Sequence, residues 1–341
     1  MIASKIDRFM DKYNDNIKVK IEKYLPEKAY VFLKKGVQQK HRFFYNRHLY
    51  RSLKHILEER KSEGLFENDL DLLQKLHELF PPHRTLSYNF NAIIHRARGR
   101  FDKILKQGIL LKGMDVLDIG AGHGENLFLC DEYEFDSATG VDHSAERFYS
   151  HTNRLSVSLK NRITFIEGDL LRMSLPAESY DFIISINSFE HFANPKIVID
   201  ESYKILRPNG YFYIDFGPLF RSPFGAHRYR YIGVPYIQNL FSDEIAYHFL
   251  YNKLKINPGI NTYTGAEIKD RDPYIEMNKW CYQQFEQLFK QDGRWDVVRF
   301  NKECNYKYHW MTEVFDDELM EFSQKDLFVT ELTVILQKKD Y

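Results

Sequence analysis

Val116, Leu117 and Ile119 form a short apolar run with β-branched members, the pattern of a strand buried on both faces. Similar runs recur at 138–141, 163–166, 180–186 and 211–216, separated by polar stretches. Between them the chain supplies helix signals. Ser144 is positioned to cap a helix reaching about 160, and Asn194 precedes Pro195 at a helix start. Arg207-Pro208-Asn209-Gly210 stops that second helix. This alternation predicts a parallel α/β sheet, followed by a helix at 275–289, a sixth strand at 295–300 and a closing strand at 330–338.

The first hundred residues follow a helical period instead. Ile2, Ile6, Phe9, Met10, Tyr13, Ile17, Ile21 and Tyr24 recur at spacings of three and four. A second basic helical stretch covers 43–60. A third helix, capped by Asn68 or Asp69, carries Leu72, Leu73, Leu76, Leu79 and Phe80 and ends at Pro81-Pro82. Residues 84–108, with Ile93, Ile94, Phe101 and Ile104, predict a helix laid across the entrance of the fold. After the fifth strand, 217–274 is rich in Tyr, Phe, Gly and Pro. It is too long for an ordinary connection, which predicts a lid or substrate-binding insert. Residues 301–328 form a second aromatic-rich insertion.

Composition narrows the function classes. Apolar residues make up 43% and charged residues 28% of 341, which suits a soluble enzyme-sized chain. The net charge is zero, yet residues 1–60 hold 15 Lys+Arg against 7 Asp+Glu, a net +8 on an acidic body. Such an arm packs on the body, pairs with a second copy, or meets an anionic membrane surface. Nucleic acid is not an expected partner. Three scattered cysteines, Cys130, Cys281 and Cys304, fit a reducing cytoplasm and make neither a disulfide framework nor a zinc motif. No metal-ligand constellation stands out, and no apolar run approaches the roughly 18 residues of a membrane span. The expected location is cytoplasmic, free or peripheral to the membrane.

The candidate chemistry sits at 114–126, MDVLDIGAGHGEN. A strand, a glycine-rich turn and a helix start expose bare backbone to a ligand. The spacing is D-x-G-x-G-x-G. Glu125 stands where a dinucleotide fold wants its third glycine, and an acid there opposes a pyrophosphate. Asp142 follows Asp118 by 24 residues at the end of the second strand, suited to vicinal ribose hydroxyls. This stretch resembles motif I of the class I S-adenosylmethionine-dependent methyltransferases, and Gly168-Asp169 with Leu175-Pro176 resembles that family's G-D-x-x-x-L-P stretch. The resemblance covers about 100–341. It implies a seven-stranded, mostly parallel, doubly wound α/β sheet, with a basic helical extension at 1–99 and an insert at 217–274. It implies S-adenosylmethionine held by Asp118, Gly120, Ala121, Gly122, Gly124, Asp142, His143, Gly168, Asp169, Leu170 and Asn187. Asp118 would take the methionine end, Asp142 the ribose, and Asp169 the adenine amino group.

The expected reaction is methyl transfer to a small-molecule or glycan acceptor, at a hydroxyl oxygen first, with nitrogen or carbon as the lesser alternatives. Histidine titrates near neutrality and serves as a general base. His227, beside Arg228, Tyr229 and Arg230 on the insert, is the first candidate for that base, and His191 after the fourth strand is the second. Two other readings compete. One is a nicotinamide-dependent oxidoreductase, disfavoured by Glu125 and Asp169. The other is a cofactor-binding subunit that scaffolds a partner without catalysis.

Overall fold

A computed structural model describes residues 65–83, 88–256, 273–274 and 277–340, with isolated positions between 50 and 57. The helix expected at 2–24, and most of the one expected at 43–60, lie outside the described residues. The chain divides into Met1–Ser62 and Glu63–Tyr341, and the sheet belongs to the second unit.

Seven strands make that sheet: β1 (Asp115–Ile119), β2 (Ser137–Asp142), β3 (Ile163–Glu167), β4 (Tyr180–Ile186), β5 (Leu206–Phe216), β6 (Trp295–Cys304) and β7 (Val329–Lys338). Their order is β3-β2-β1-β4-β5-β7-β6. The first five pair in parallel, while β7 runs antiparallel to both β5 and β6. The chain order reverses between β1 and β4. Loops leaving those two strands therefore diverge, opening a crevice at the carboxyl edge.

Both sheet faces are covered, which is why the strands read as unbroken apolar runs. Side chains alternate along β4. Ile183 packs with Leu117, Phe212 and Ile214 under α5 (Pro195–Ile205) and α8 (Tyr282–Lys290). Phe182 and Ile184 pack with Val116, Tyr213 and Ile335 on the other side. There α2 (Phe90–Leu105) buries Ile93, Ile94, Ala97, Phe101 and Ile104. Asn89 caps α2, its side chain accepting from the Ala92 N–H at 2.9 Å. Asn194 caps α5 in the same way, with Pro195 at its first position.

Several element boundaries differ from the sequence reading. The first helix, α1 (Leu65–Leu79), begins before Asn68 and Asp69, which lie inside it and not at its start. The segment after the glycine turn is only a 3-10 turn, Leu127–Leu129, because Asn126 is drawn inward to Asp118. The helix expected from Ser144 breaks into α3 (Glu146–Tyr149) and α4 (Val157–Lys160). The Ser144 N–H donates to the Asp142 carboxylate, and Ser156 caps α4 through its hydroxyl. The helix expected at 275–289 begins only at Tyr282, where Gln284 and the Cys281 backbone close a capping box.

The described part of the insert, 217–256, is compact. It carries α6 (Ile237–Leu240), α7 (Asp243–Tyr247) and a π-helical turn, His248–Lys253. Leu219, Ile232, Val234, Tyr236, Phe249 and Leu250 are fully or almost fully buried. The Tyr236 hydroxyl donates to the Leu327 carbonyl at 3.2 Å, joining the insert to α11 (Gln324–Phe328). Between β6 and α11 lie α9 (Met311–Val314) and α10 (Asp316–Leu319), so the second insertion is also built of short helices.

Candidate functional site

β1 delivers the chain to three glycines with left-handed backbone, Gly120, Gly122 and Gly124, at φ of 77°, 53° and 76°. At Gly120 a Cβ would lie 2.2 Å from Ser188 Oγ, so only glycine fits between β1 and the loop after β4. Above Gly122 nothing lies within 4 Å, leaving a floor of open backbone. Asp142, at the tip of β2, holds that floor. Its Oδ2 accepts from the Gly122 N–H at 2.8 Å and its Oδ1 from the Ser144 N–H at 3.2 Å.

Asp118 lies beneath the turn and is 1% exposed. Its Oδ2 accepts from Asn126 Nδ2 at 2.9 Å, while its Oδ1 makes no hydrogen bond. Burial pushes its carboxyl up to about 7, with the Asn126 hydrogen bond opposing that rise. Arg100 of α2 answers the acid at the helix start: its Nη1 lies 3.1 Å from Glu125 Oε1 and 3.3 Å from Asn126 Oδ1. A buried carboxylate with one oxygen open suits a cation such as the ammonium of an amino acid. S-adenosylmethionine carries that group, and the open backbone over Gly122 leaves room for the chain behind it.

The remaining residues expected around the cofactor gather at the same sheet edge. Gly168 donates its N–H to the Asp142 carbonyl at 2.8 Å, bringing the β3 and β2 tips together. Asp169 follows, partly exposed, with Arg172 Nε 3.6 Å from its carboxylate. Leu170 is buried in the core beside Met173 and Leu175. Ala121 is buried in the turn, and His143 projects exposed from the end of β2. Asn187 ends β4 at φ 49°, exposed, its N–H donating to the Asp215 carbonyl at 2.8 Å.

His191 and His227, far apart in sequence, meet edge to face with ring centroids 5.1 Å apart. The Pro218 carbonyl lies 3.0 Å from His227 Nε2. A carbonyl only accepts, so Nε2 carries the proton and Nδ1 keeps a lone pair. Burial, with His191 nearby, pushes His227 down to about 3. It is a neutral imidazole across the physiological range and does not titrate near neutrality as its residue type suggests. Glu190, 2% exposed, places Oε1 3.9 Å from His191 Nε2. Burial pushes its carboxyl up to about 8.

Three supporting residues carried no sequence signal. Asn278 clamps the loop after β4: its Nδ2 donates to the Phe189 and Phe192 carbonyls at 2.6 and 3.1 Å, and its N–H to the Glu190 carbonyl. Tyr88 stacks on His123 of the glycine turn at 5.3 Å. Its hydroxyl accepts from Arg230 Nη2 at 2.7 Å, linking the insert to that turn. Arg100 is the third.

Asp118 gives the site a pH dependence. An ammonium binds the ionised carboxylate, so binding releases the proton held below pH 7. Affinity for S-adenosylhomocysteine, measured by calorimetry, is expected to fall about tenfold per unit from pH 7 toward 5 and to level off above 7. Asp118→Asn should remove the slope. Without ligand the sign reverses: the raised carboxyl favours the folded protein on the acid side and costs stability as pH rises to 7.

A family model described as a methyltransferase domain matches residues 117–214. A sterol 24-C-methyltransferase of Gibberella zeae is 28% identical over 120 residues, 35% of this chain and 32% of that one. A fatty-acid O-methyltransferase of Mycolicibacterium smegmatis is 25% identical over 33% of this chain and 41% of its own length. A 2-methyl-6-phytyl-1,4-hydroquinone methyltransferase of Oryza sativa subsp. japonica is 26% identical over 40% of this chain and 42% of its own. The alignments thus span well under half of each relative. Among solved structures, an S-adenosylmethionine dependent methyltransferase from Mesorhizobium loti gives a TM-score of 0.42 at 14% identity, over 70% of this chain and 97% of that one. The likeness to methyltransferases is carried by residues 117–214, which run from β1 into β5 and hold the glycine turn and the tips of β2, β3 and β4.

Proposed function

We propose that this chain transfers the methyl group of S-adenosylmethionine to a hydroxyl oxygen of a small-molecule or glycan acceptor. The observation that carries the reading is the buried Asp118 with its open Oδ1, beside the bare backbone of Gly122. When bound, the cofactor supplies a methyl group on a sulfonium leaving group. The protein then has to hold both reactants in line and exclude water.

Asp118 takes the ammonium. Asp142 offers its remaining lone pairs to the ribose hydroxyls, and Asp169 accepts from the adenine amino group, with Gly168 and Leu170 alongside. The acceptor lies between the end of β4 and the insert, where Asn187, His191 and His227 face it. His227 Nδ1, held down to about 3 by burial, takes the hydroxyl proton once the arriving methyl has made that oxygen strongly acidic, while its Nε2–H still donates to the Pro218 carbonyl. His191 packs edge to face on that ring and fixes its plane. The relatives' names, with sterol, fatty-acid and hydroquinone acceptors, support a small molecule as the acceptor class. A nicotinamide cofactor is disfavoured by Glu125, held by Arg100 at the turn.

Calorimetric titration tests the cofactor. S-adenosylmethionine and S-adenosylhomocysteine should bind, and NADH should not; the reverse would overturn the reading. Mass-spectrometric turnover assays over hydroxyl acceptors then separate an enzyme from a non-catalytic binding subunit.

The net +8 on residues 1–60 supports a role for that arm at an anionic membrane surface or in self-association. Among the described residues no helix is long and apolar enough to cross a membrane. Co-sedimentation with anionic liposomes should fall as salt rises, and deletion of 1–60 should abolish it. Equal sedimentation with neutral and anionic lipid would refute the surface role.

A further inference from the structure

Glu190 poses a question that methyl transfer leaves open. Its carboxyl is 2% exposed and meets no donor in good hydrogen-bond geometry, with only the backbone N–H groups of Glu190 and Gly217 turned toward it. An isolated buried carboxyl costs free energy unless a cation or a donor meets it. Two imidazoles stand beside it: one ligand-capable atom each from Glu190, His191 and His227 lies within 4.8 Å of the others.

We propose that Glu190, His191 and His227 form a binding site for a divalent transition-metal ion of the zinc class. Three features point there. The donor set is two imidazoles and one carboxylate, which suits zinc and leaves an open coordination position. The spacing is close to what one ion requires. Tetrahedral ligands of one zinc ion sit about 3.4 Å apart at a bond of ~2.1 Å. The Glu190 Oε1 to His191 Nε2 distance is 3.9 Å and every pair lies within 4.8 Å, so side-chain movements of about 0.5–1.4 Å close the cluster on one ion. Finally, His227 donates a hydrogen bond from its Nε2–H to the Pro218 carbonyl. A metal-bound histidine commonly anchors its second nitrogen this way, which fixes the tautomer and aims the other nitrogen's lone pair.

The frame around the cluster is braced. Asn278 holds the backbone on both sides of Glu190 through the Phe189 and Phe192 carbonyls. Two cations lie close on the insert, and both are engaged elsewhere: Arg228 Nε donates to the Pro273 carbonyl at 2.8 Å and Arg230 Nη2 to the Tyr88 hydroxyl at 2.7 Å. Binding of the ion stands apart from the methyl-transfer reading. The two meet at His227, because an ion there takes the lone pair that would otherwise accept the acceptor's proton. Occupancy therefore lowers turnover.

The test uses the untagged full chain, stripped with chelator and titrated with Zn²⁺ by calorimetry and with Co²⁺ by visible absorption. One ion per chain is expected, with a cobalt ligand-field band. Glu190→Gln keeps the side chain's shape, and with His227→Ala it should weaken binding at least tenfold. Retained S-adenosylhomocysteine binding shows that each variant is folded. If both fail that control, His191→Asn supplies the same comparison. Saturating Zn²⁺ should suppress turnover of the wild type, reversed by chelator. Absence of saturable binding, or equal binding by wild type and variants, would overturn the proposal. So would a loss that follows His123→Ala or His151→Ala in place of the three ligands.

Discussion

His227→Ala should lower turnover by about 10²-fold, the low end of a positioned general base's contribution because burial holds its imidazole down to about 3, with S-adenosylmethionine affinity near that of the wild type. The expectation rests on His227 Nδ1, the nitrogen left with a lone pair once Nε2 is committed to the Pro218 carbonyl. Turnover is measured after chelator treatment, so that base loss is read without any bound ion. The proposed cofactor contacts lie at the glycine turn and the tips of β2 and β3, on other segments of the chain. The variant's KM for the cofactor should therefore hold while kcat falls. Near-normal kcat would assign His227 to structure alone and make His191 the next residue to replace.

The second large effect is at Gly120. Gly120→Ala puts a side chain on a backbone at φ 77°, which costs an L-residue roughly 1–2 kcal/mol. It also drives a methyl group to 2.2 Å from Ser188 Oγ. That overpacking adds about 1–3 kcal/mol, so denaturant unfolding should show a loss of about 2–5 kcal/mol in total. Adding Ser188→Gly should recover the overpacking part and leave the backbone part. Gly122→Ala makes the contrast, since no atom lies within 4 Å of its added methyl. It should lose only the backbone part, about 1–2 kcal/mol at φ 53°, and also lose cofactor affinity, because the methyl covers the open backbone. If Gly120→Ala proved as stable as Gly122→Ala, the close approach of Ser188 would not exist in solution.

The strands and the glycine turn were legible in the sequence because their signals are local. A run such as Phe182, Ile183, Ile184 and Ile186 announces a strand covered on both faces, and D-x-G-x-G-x-G announces bare backbone at its end. What stayed hidden depends on partners distant along the chain. Arg100 neutralises Glu125 from a helix 25 residues upstream. Asn278 braces a loop 86 and 89 residues before it. The break after Tyr149 follows from Asp142 taking the Ser144 N–H and Ser156 starting a new helix. The ionisation of His227 and Glu190 escapes sequence reading for the same reason. Residue type gives a reference value, whereas the burial that shifts it comes from how the insert packs against the end of β4.

Asp142 joins the tip of β2 to the glycine turn through its Oδ2 on the Gly122 N–H, while its Oδ1 holds the neighbouring Ser144 N–H. The turn is thereby shaped when the chain folds, before any ligand arrives. Less conformational freedom is left to lose on association, so a larger share of the contact energy is available as affinity. The same arrangement gives Asp142 a part in the scaffold beside the ribose contact proposed for it. A substitution there changes the shape of the free protein as well as the strength of a contact, and a loss of affinity at this position measures both together.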